Sequence, residues 1–77
     1  MKIYDYWGKR VKITTADGQI FIGHVAYYTS ELDDPNGIES ISVEVDGKEN
    51  VLFGFTKKDI TDIEILTADV PSMANAV

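Results

Sequence analysis

Two apolar runs joined by an Asp-Gly pair stand out in the hydrophobic pattern of the chain, at residues 11–25. Val11 and Ile13 alternate with polar neighbours, and apolar residues return from Ile20 onward. Alternation with a period of two is typical of a half-buried strand. Asp-Gly between two such runs is the strongest short-range hairpin signal. The pattern therefore predicts a β-hairpin, onto which the later strands pair.

The length of the hairpin loop decides which side chains share the core face with Val11 and Ile13. With the two-residue loop Asp17-Gly18, the residues on that face are Ile20, Ile22 and His24. With the three-residue loop Ala16-Asp17-Gly18, they are Phe21, Gly23 and Val25. A slip of one residue exchanges the two faces of the strand. We favour the three-residue loop because Phe21 and Val25 fill a core better, and His24 then points outward.

The three-residue loop leaves Ile20 and Ile22 on the face opposite the core. Three covers are open at this point: the N-terminal aromatics Tyr4, Tyr6 and Trp7, a tightly bent barrel, or another subunit. The N-terminal aromatics could instead cap an open end of the fold or form a contact surface. The spacing of Ile3, Tyr4 and Trp7 suits one helical turn, in a run too short to decide.

A second hairpin is predicted from Ile38–Val45, which alternates apolar and polar residues and is followed by Asp46-Gly47. A two-residue loop would place Ile41 and Val43 with Asn50 and Leu52. The three-residue loop Val45-Asp46-Gly47 would place them with Val51 and Phe53 instead. We favour the three-residue loop, because it buries more apolar surface, at roughly 25 cal/mol per Å².

The remaining pattern predicts one domain, 1–66, and a flexible tail, 67–77. The stretch 30–37 contains Asp, Pro, Asn and Gly and predicts a loop. A turn at 56–59 precedes a last strand, 59–66. Gly23, in the middle of the long second strand, fits a sharp bend. Together these elements predict an all-β fold, a small, strongly bent five-stranded barrel.

Composition narrows the kinds of site and partner. The 77 residues include no cysteine and one histidine, so a disulfide is impossible and a zinc site is nearly excluded. A small domain without such a staple often gains stability by oligomerising, and we expect a homo-oligomer. The net charge of −6 disfavours nonspecific nucleic-acid binding.

The sequence contains no apolar core of a signal peptide. It also contains no run near the roughly 20 apolar residues of a membrane span, so we expect a cytoplasmic protein that does not enter membranes.

The stretch GKRVKITTADGQIFIGHVAYYTSELD resembles the first motif of the Sm/Sm-like (LSm) family. The residues that carry the resemblance are Gly8, Val11, Ile13, Asp17-Gly18, Phe21, Gly23 and Val25. SISVEV and DITDIEIL are similar to the family's third and fifth strands, so the resemblance covers roughly residues 8–66. It implies an SH3-like barrel that assembles into rings through edge strands and often binds single-stranded RNA.

The chain departs from the family where the RNA pocket is expected. The positions of the family's Asp and Asn after strand two hold Thr29 and Asp33, and an anionic Asp33 would face phosphate badly. In place of the Arg-Gly pair of the second motif are Lys57 and Lys58, and lysine lacks the planar fork that stacks on a base. The candidate RNA- or partner-binding residues are Tyr28, Thr29, Asp33, Lys57 and Lys58.

The candidate assembly interface consists of the apolar residues left over from the core, Ile20, Ile22 and Leu52. No catalytic spacing, cysteine nucleophile, phosphate loop or cofactor motif is present in the sequence, so we expect neither an enzyme nor a cofactor. The leading hypothesis is an Sm-like binding or assembly module, with single-stranded RNA as a candidate ligand. The alternative is an SH3-like protein-interaction or regulatory module that uses Tyr27, Tyr28 and Trp7 and binds no RNA.

Overall fold

The computed structural model describes residues 2–48 and 50–66. A short 3₁₀ helix, Ile3–Tyr6, precedes five strands: β1 Arg10–Thr15, β2 Ile20–Thr29, β3 Ser40–Val45, β4 Leu52–Thr56 and β5 Ile60–Ile65. The strands form one antiparallel sheet in the order β4-β3-β2-β1-β5.

The predicted all-β fold is confirmed. The ladder of hydrogen bonds is not closed between β4 and β5, so the predicted barrel is not confirmed. The predicted tail, 67–77, lies outside the described residues.

The first hairpin has the predicted three-residue loop. Thr15 N–H donates to the Gln19 carbonyl at 2.9 Å, and Gly18 N–H donates to the Thr15 carbonyl at 2.9 Å. Gly18 has φ of +88°, the left-handed region that glycine enters without steric cost. Ile13 consequently pairs with Phe21 and lies on the core face, while His24 is exposed.

The predicted loop of the second hairpin, Val45-Asp46-Gly47, is wrong, although the predicted facing of Val43 and Phe53 is confirmed. Val45 belongs to β3 and pairs with Gly23 on the neighbouring strand β2. The connection to β4 begins at Asp46 instead, with left-handed residues at Gly47 (φ +80°) and Asn50 (φ +68°). Val51 falls outside β4 and is 49% exposed. The pairing to β2 keeps Val45 in the strand, which no local pattern of the hairpin reveals.

Strand β2 is bent by a close approach and by a bulge. A Cβ at Gly23 would lie 2.1 Å from the Glu44 carbonyl oxygen, so only glycine allows β3 this near. Further along, the register with β3 shifts at Ala26, between Val25 and Tyr27. A bulge of this kind bends the strand and changes the face on which the later side chains lie. Beyond the bulge Tyr28 pairs with Ile41.

The core lies on the concave face of the sheet and is closed at one end by the 3₁₀ helix. Its buried members are Ile3, Val11, Ile13, Val25, Ile41, Val43, Phe55 and Ile60. Phe21 of β2 contacts Phe53 and Phe55 of β4, with ring centroids 5.6 and 5.2 Å apart. Although β3 separates these strands in the sheet, their rings meet on one face.

In the described part of the chain, no helix is long and apolar enough to cross a membrane.

Replacing Gly23 by alanine should destabilise the fold by about 3 kcal/mol, because the new methyl group would overlap the Glu44 carbonyl and force β2 and β3 apart. Urea unfolding of Gly23→Ala measures this loss. Gly54→Ala is the matched control, since a Cβ at Gly54 meets nothing within 4 Å. It should change stability by no more than about 1 kcal/mol. Equal losses in the two variants would contradict the close approach.

Candidate functional site

Two of the predicted site residues meet at a carboxylate that the sequence analysis did not single out. The Tyr28 hydroxyl donates to Oε2 of Glu39. Lys57 Nζ lies 3.5 Å from Oε1 of the same carboxylate, whose side chain is only 18% exposed. Glu39 comes immediately before β3 and Lys57 immediately after β4, and Ser40 pairs with Thr56. Glu39 and Lys57 are therefore neighbours just beyond the end of the β3–β4 ladder. Had the sequence revealed this register, their opposite charges would have indicated the pair.

The other predicted residues, Lys58, Thr29 and Asp33, differ in their relation to the Glu39 carboxylate. Lys58 lines a surface groove of about 240 Å³ whose other lining residues are Glu31, Gly37, Ile38, Glu39, Thr56 and Lys57. Thr29 is half-buried and pairs with Ser40 at the end of β2. Asp33 is exposed and accepts a hydrogen bond from the Ser30 hydroxyl at 3.2 Å. Asp33 does not line the groove.

Three aromatic rings, from the 3₁₀ helix, its C-cap and the end of β2, form a cluster beside Glu39. Tyr28 contacts Tyr4 and Trp7, with ring centroids 5.0 and 6.0 Å apart, and Tyr4 lies 6.0 Å from Trp7. Trp7 Nε1 donates to the carbonyl of Ala26, the bulge residue, at 3.2 Å. Tyr4 and Trp7 are 54% and 48% exposed. We call these three residues the aromatic surface.

The predicted grouping of Tyr27 with Tyr28 and Trp7 does not occur in the described structure. Tyr27 follows the bulge on the outer face of the sheet, is 59% exposed and has none of the ring contacts that define the aromatic surface. Tyr4, which the sequence analysis grouped with Tyr6 and Trp7 rather than with Tyr28, takes its place. The 3₁₀ helix brings Tyr4 there, while Ile3 faces the core and is fully buried.

Carboxylates dominate the electrostatics around Tyr28. The hydrogen bond to Glu39, the loss of solvation and the negative charges of Glu39 and Glu31 together raise the pKa of Tyr28 to about 12. Tyr28 therefore remains a neutral hydrogen-bond donor at physiological pH. The groove itself carries charges of both signs, since Glu31 and Glu39 line it together with Lys57 and Lys58, and Lys57 is paired with Glu39.

The predicted assembly residues lie in two places. Ile20 and Ile22 are neighbours on the outer face of β2, 58% and 36% exposed. Leu52 is on β4, beyond β3, and lines a separate groove of about 230 Å³ with Tyr27 and Val51. The N-terminal aromatics do not cover the isoleucines, because Trp7 is held at Ala26, toward the other end of β2. Within the described chain, Ile20 and Ile22 remain on the surface.

His24 lies on the outer face of the sheet in register with Arg10 and Glu44. Arg10 donates hydrogen bonds to both carboxylate oxygens of Asp46, one of them at 3.0 Å, which lowers the pKa of Asp46. Both side chains are about half exposed, and an ion pair in that setting contributes little to stability.

Among residues 2–48 and 50–66, no group of three or more His, Cys, Asp or Glu side chains is placed to hold a metal ion.

Comparison of the chain with protein-family models, with curated proteins and with solved structures gives no match. The resemblance to the Sm-like family therefore rests on the sequence motif alone.

The raised pKa of Tyr28 gives a titration prediction. Of the four tyrosines, one should ionise with a pKa of about 12, and Glu39→Gln should bring that step back toward 10.0. The folded-state pKa exceeds the unfolded value of 10.0, so the free energy of unfolding is unaffected below pH 10 and falls as the pH rises toward 12. Tyrosinate absorbance measures the ionisation, and Tyr28→Phe should abolish the late step. A late step that survives in Tyr28→Phe would contradict the assignment.

Proposed function

We propose that this chain is a non-enzymatic assembly module with an Sm-like, strongly bent β-sheet, and that it self-associates through its two open edges. The observation that carries the proposal is β4, an edge strand of sequence LFGFT with no charged residue and no proline. Natural proteins usually protect edge strands with such residues, because an unprotected edge is a template for pairing with another chain. An edge of this composition favours a pairing partner.

The hydrogen-bond ladder between β3 and β4 determines which backbone N–H and C=O groups of β4 lie at the free edge. Asp46 N–H donates to the Ile22 carbonyl at 2.9 Å, so the groups of Asp46 point toward β2. The backbone groups of successive residues in an antiparallel strand point alternately to one neighbouring strand and the other. The N–H and C=O of Val43 therefore point toward β4, where Val43 pairs with Phe53. On β4 itself, the groups of Leu52 and Gly54 then point away from the sheet, at the free edge.

The same reasoning identifies the complementary groups on β5. Leu66 N–H donates to the Arg10 carbonyl at 2.8 Å. Alternation then directs Glu64 and Asp62 toward β1, and Ile63 and Ile65 toward the free edge. The strands β4 and β5 have similar lengths, five and six residues. Pairing β4 of one copy with β5 of the next is a head-to-tail contact, which makes a ring if the rotation closes.

The family resemblance supports this proposal, since it implies rings assembled through edge strands. RNA binding is not part of the proposal. Lys57, one of the two lysines that the resemblance suggested for RNA, is paired with Glu39, and the net charge of −6 opposes phosphate.

Gly54→Pro should convert the assembly to single chains. The Gly54 N–H points to the free edge, so proline removes a donor that the chain's own ladder does not use, and edge strands tolerate proline at such positions. Gly54→Ala is the matched control, because it keeps the N–H and its methyl group has open space. Light scattering coupled to size exclusion measures the mass. We expect a multiple of the chain mass for the unmodified protein and for Gly54→Ala, and one chain for Gly54→Pro.

Two results would overturn the proposal. One is a single-chain mass for the unmodified protein at micromolar concentration. The other is an unchanged oligomer in Gly54→Pro, which would place the contact away from the β4 edge. Circular dichroism of the Gly54→Pro variant establishes that loss of mass does not reflect loss of the fold.

A further inference from the structure

The aromatic surface is held in a fixed arrangement before any ligand arrives. The indole N–H of Trp7 is bonded to Ala26, and the hydroxyl of Tyr28 is bonded to Glu39. Tyr4 packs edge-on against both rings, at 66° to Trp7 and 82° to Tyr28. Exposed aromatic rings that are already ordered lose little entropy on binding, which favours recognition.

The chain beside this surface is anionic. Residues 29–39 contain Glu31, Asp33, Asp34 and Glu39 and no basic residue. The segment is ordered by its own hydrogen bonds: Asp34 Oδ2 accepts from the N–H groups of Asn36 and Ile38 at 2.8 and 3.0 Å. Glu31 lines the same groove as Glu39, the carboxylate to which the Tyr28 hydroxyl is bonded. Lys57 and Lys58 also line the groove and offset part of this charge.

We propose that the aromatic surface binds an arginine-bearing segment of a partner protein. A guanidinium stacks on the face of tryptophan or tyrosine, an attraction that ammonium and neutral groups reproduce less well. Its remaining donors are then available to carboxylates, of which Glu31 is exposed and lines the groove that contains Glu39, the partner of Tyr28. RNA bases also stack on such rings, but their phosphates would face the carboxylates of residues 29–39. Charge complementarity therefore selects a basic peptide over RNA.

This surface goes beyond the proposed assembly function. Its rings come from the 3₁₀ helix, its C-cap and the end of β2, and it does not use the free backbone groups of β4 or β5. Peptide binding should therefore persist in Gly54→Pro, the variant designed to be a single chain. Measuring both proteins separates the two proposals.

Trp7 is the only tryptophan, so its fluorescence reports directly on the surface. The probe is a short synthetic peptide of alternating glycine and arginine, titrated at near-physiological ionic strength. The matched peptide carries citrulline, which keeps the shape of arginine without its charge. We expect the arginine peptide to shift Trp7 emission saturably and the citrulline peptide to bind about tenfold more weakly. Equal binding of the two peptides, or no saturable shift, would overturn the proposal.

Matched variants test the location. Tyr4→Leu should weaken arginine-peptide binding about fivefold, while Tyr27→Leu, an equally exposed tyrosine outside the surface, should leave it unchanged. Glu31→Gln combined with Asp33→Asn should weaken it several-fold more than Asp62→Asn combined with Glu64→Gln, which removes the same charge from β5. Equal effects of the two double variants would show nonspecific attraction to an acidic protein and overturn the proposal. So would tighter binding of oligouridylate than of the arginine peptide.

Discussion

The contact between the backbones of β2 and β3 at Gly23 is the constraint on which the rest of this structure depends. Gly23 pairs with Val11 on one side and with Val45 on the other, so three strands are aligned at one residue without a side chain. The Glu44 carbonyl occupies the space that a Cβ would need. Because the sheet can curve there, Phe21 reaches the rings of β4 and the concave face closes over the core.

The bulge at Ala26 connects this fold to the candidate binding surface. It separates two stretches of β2 with different registers, so Tyr28 lies beside the core at Ile41 while Tyr27 faces solvent. The carbonyl of the bulge residue is also the acceptor for Trp7. The same irregularity thus positions two of the three rings of the aromatic surface, and the 3₁₀ helix supplies the third.

Local signals in the sequence were sufficient for the strands and for one loop. Gly18, together with the need to bury Phe21 and Val25, selects the register of the first hairpin, and the structure confirms it. The second loop was mispredicted because Val45 is kept in its strand by Gly23, a residue distant in sequence. The bulge has no signature at Ala26, so the separation of Tyr27 from Tyr28 was not visible. Glu39 was missed because its two partners, Tyr28 on β2 and Lys57 immediately after β4, are both distant from it in the sequence.

The strand order of the sheet also bears on the kinetics of folding. Three of the four ladders join strands that follow one another in the chain, and these form by closing short loops. The ladder between β1 and β5 joins Val11 to Ile65, across nearly the whole described chain. Closing so long a loop costs more chain entropy and is compensated only once the meander of β1 to β4 exists. We therefore expect folding to end with the docking of β5; until that step β1 is itself an open edge, on which the β5 of another chain can dock in exchange.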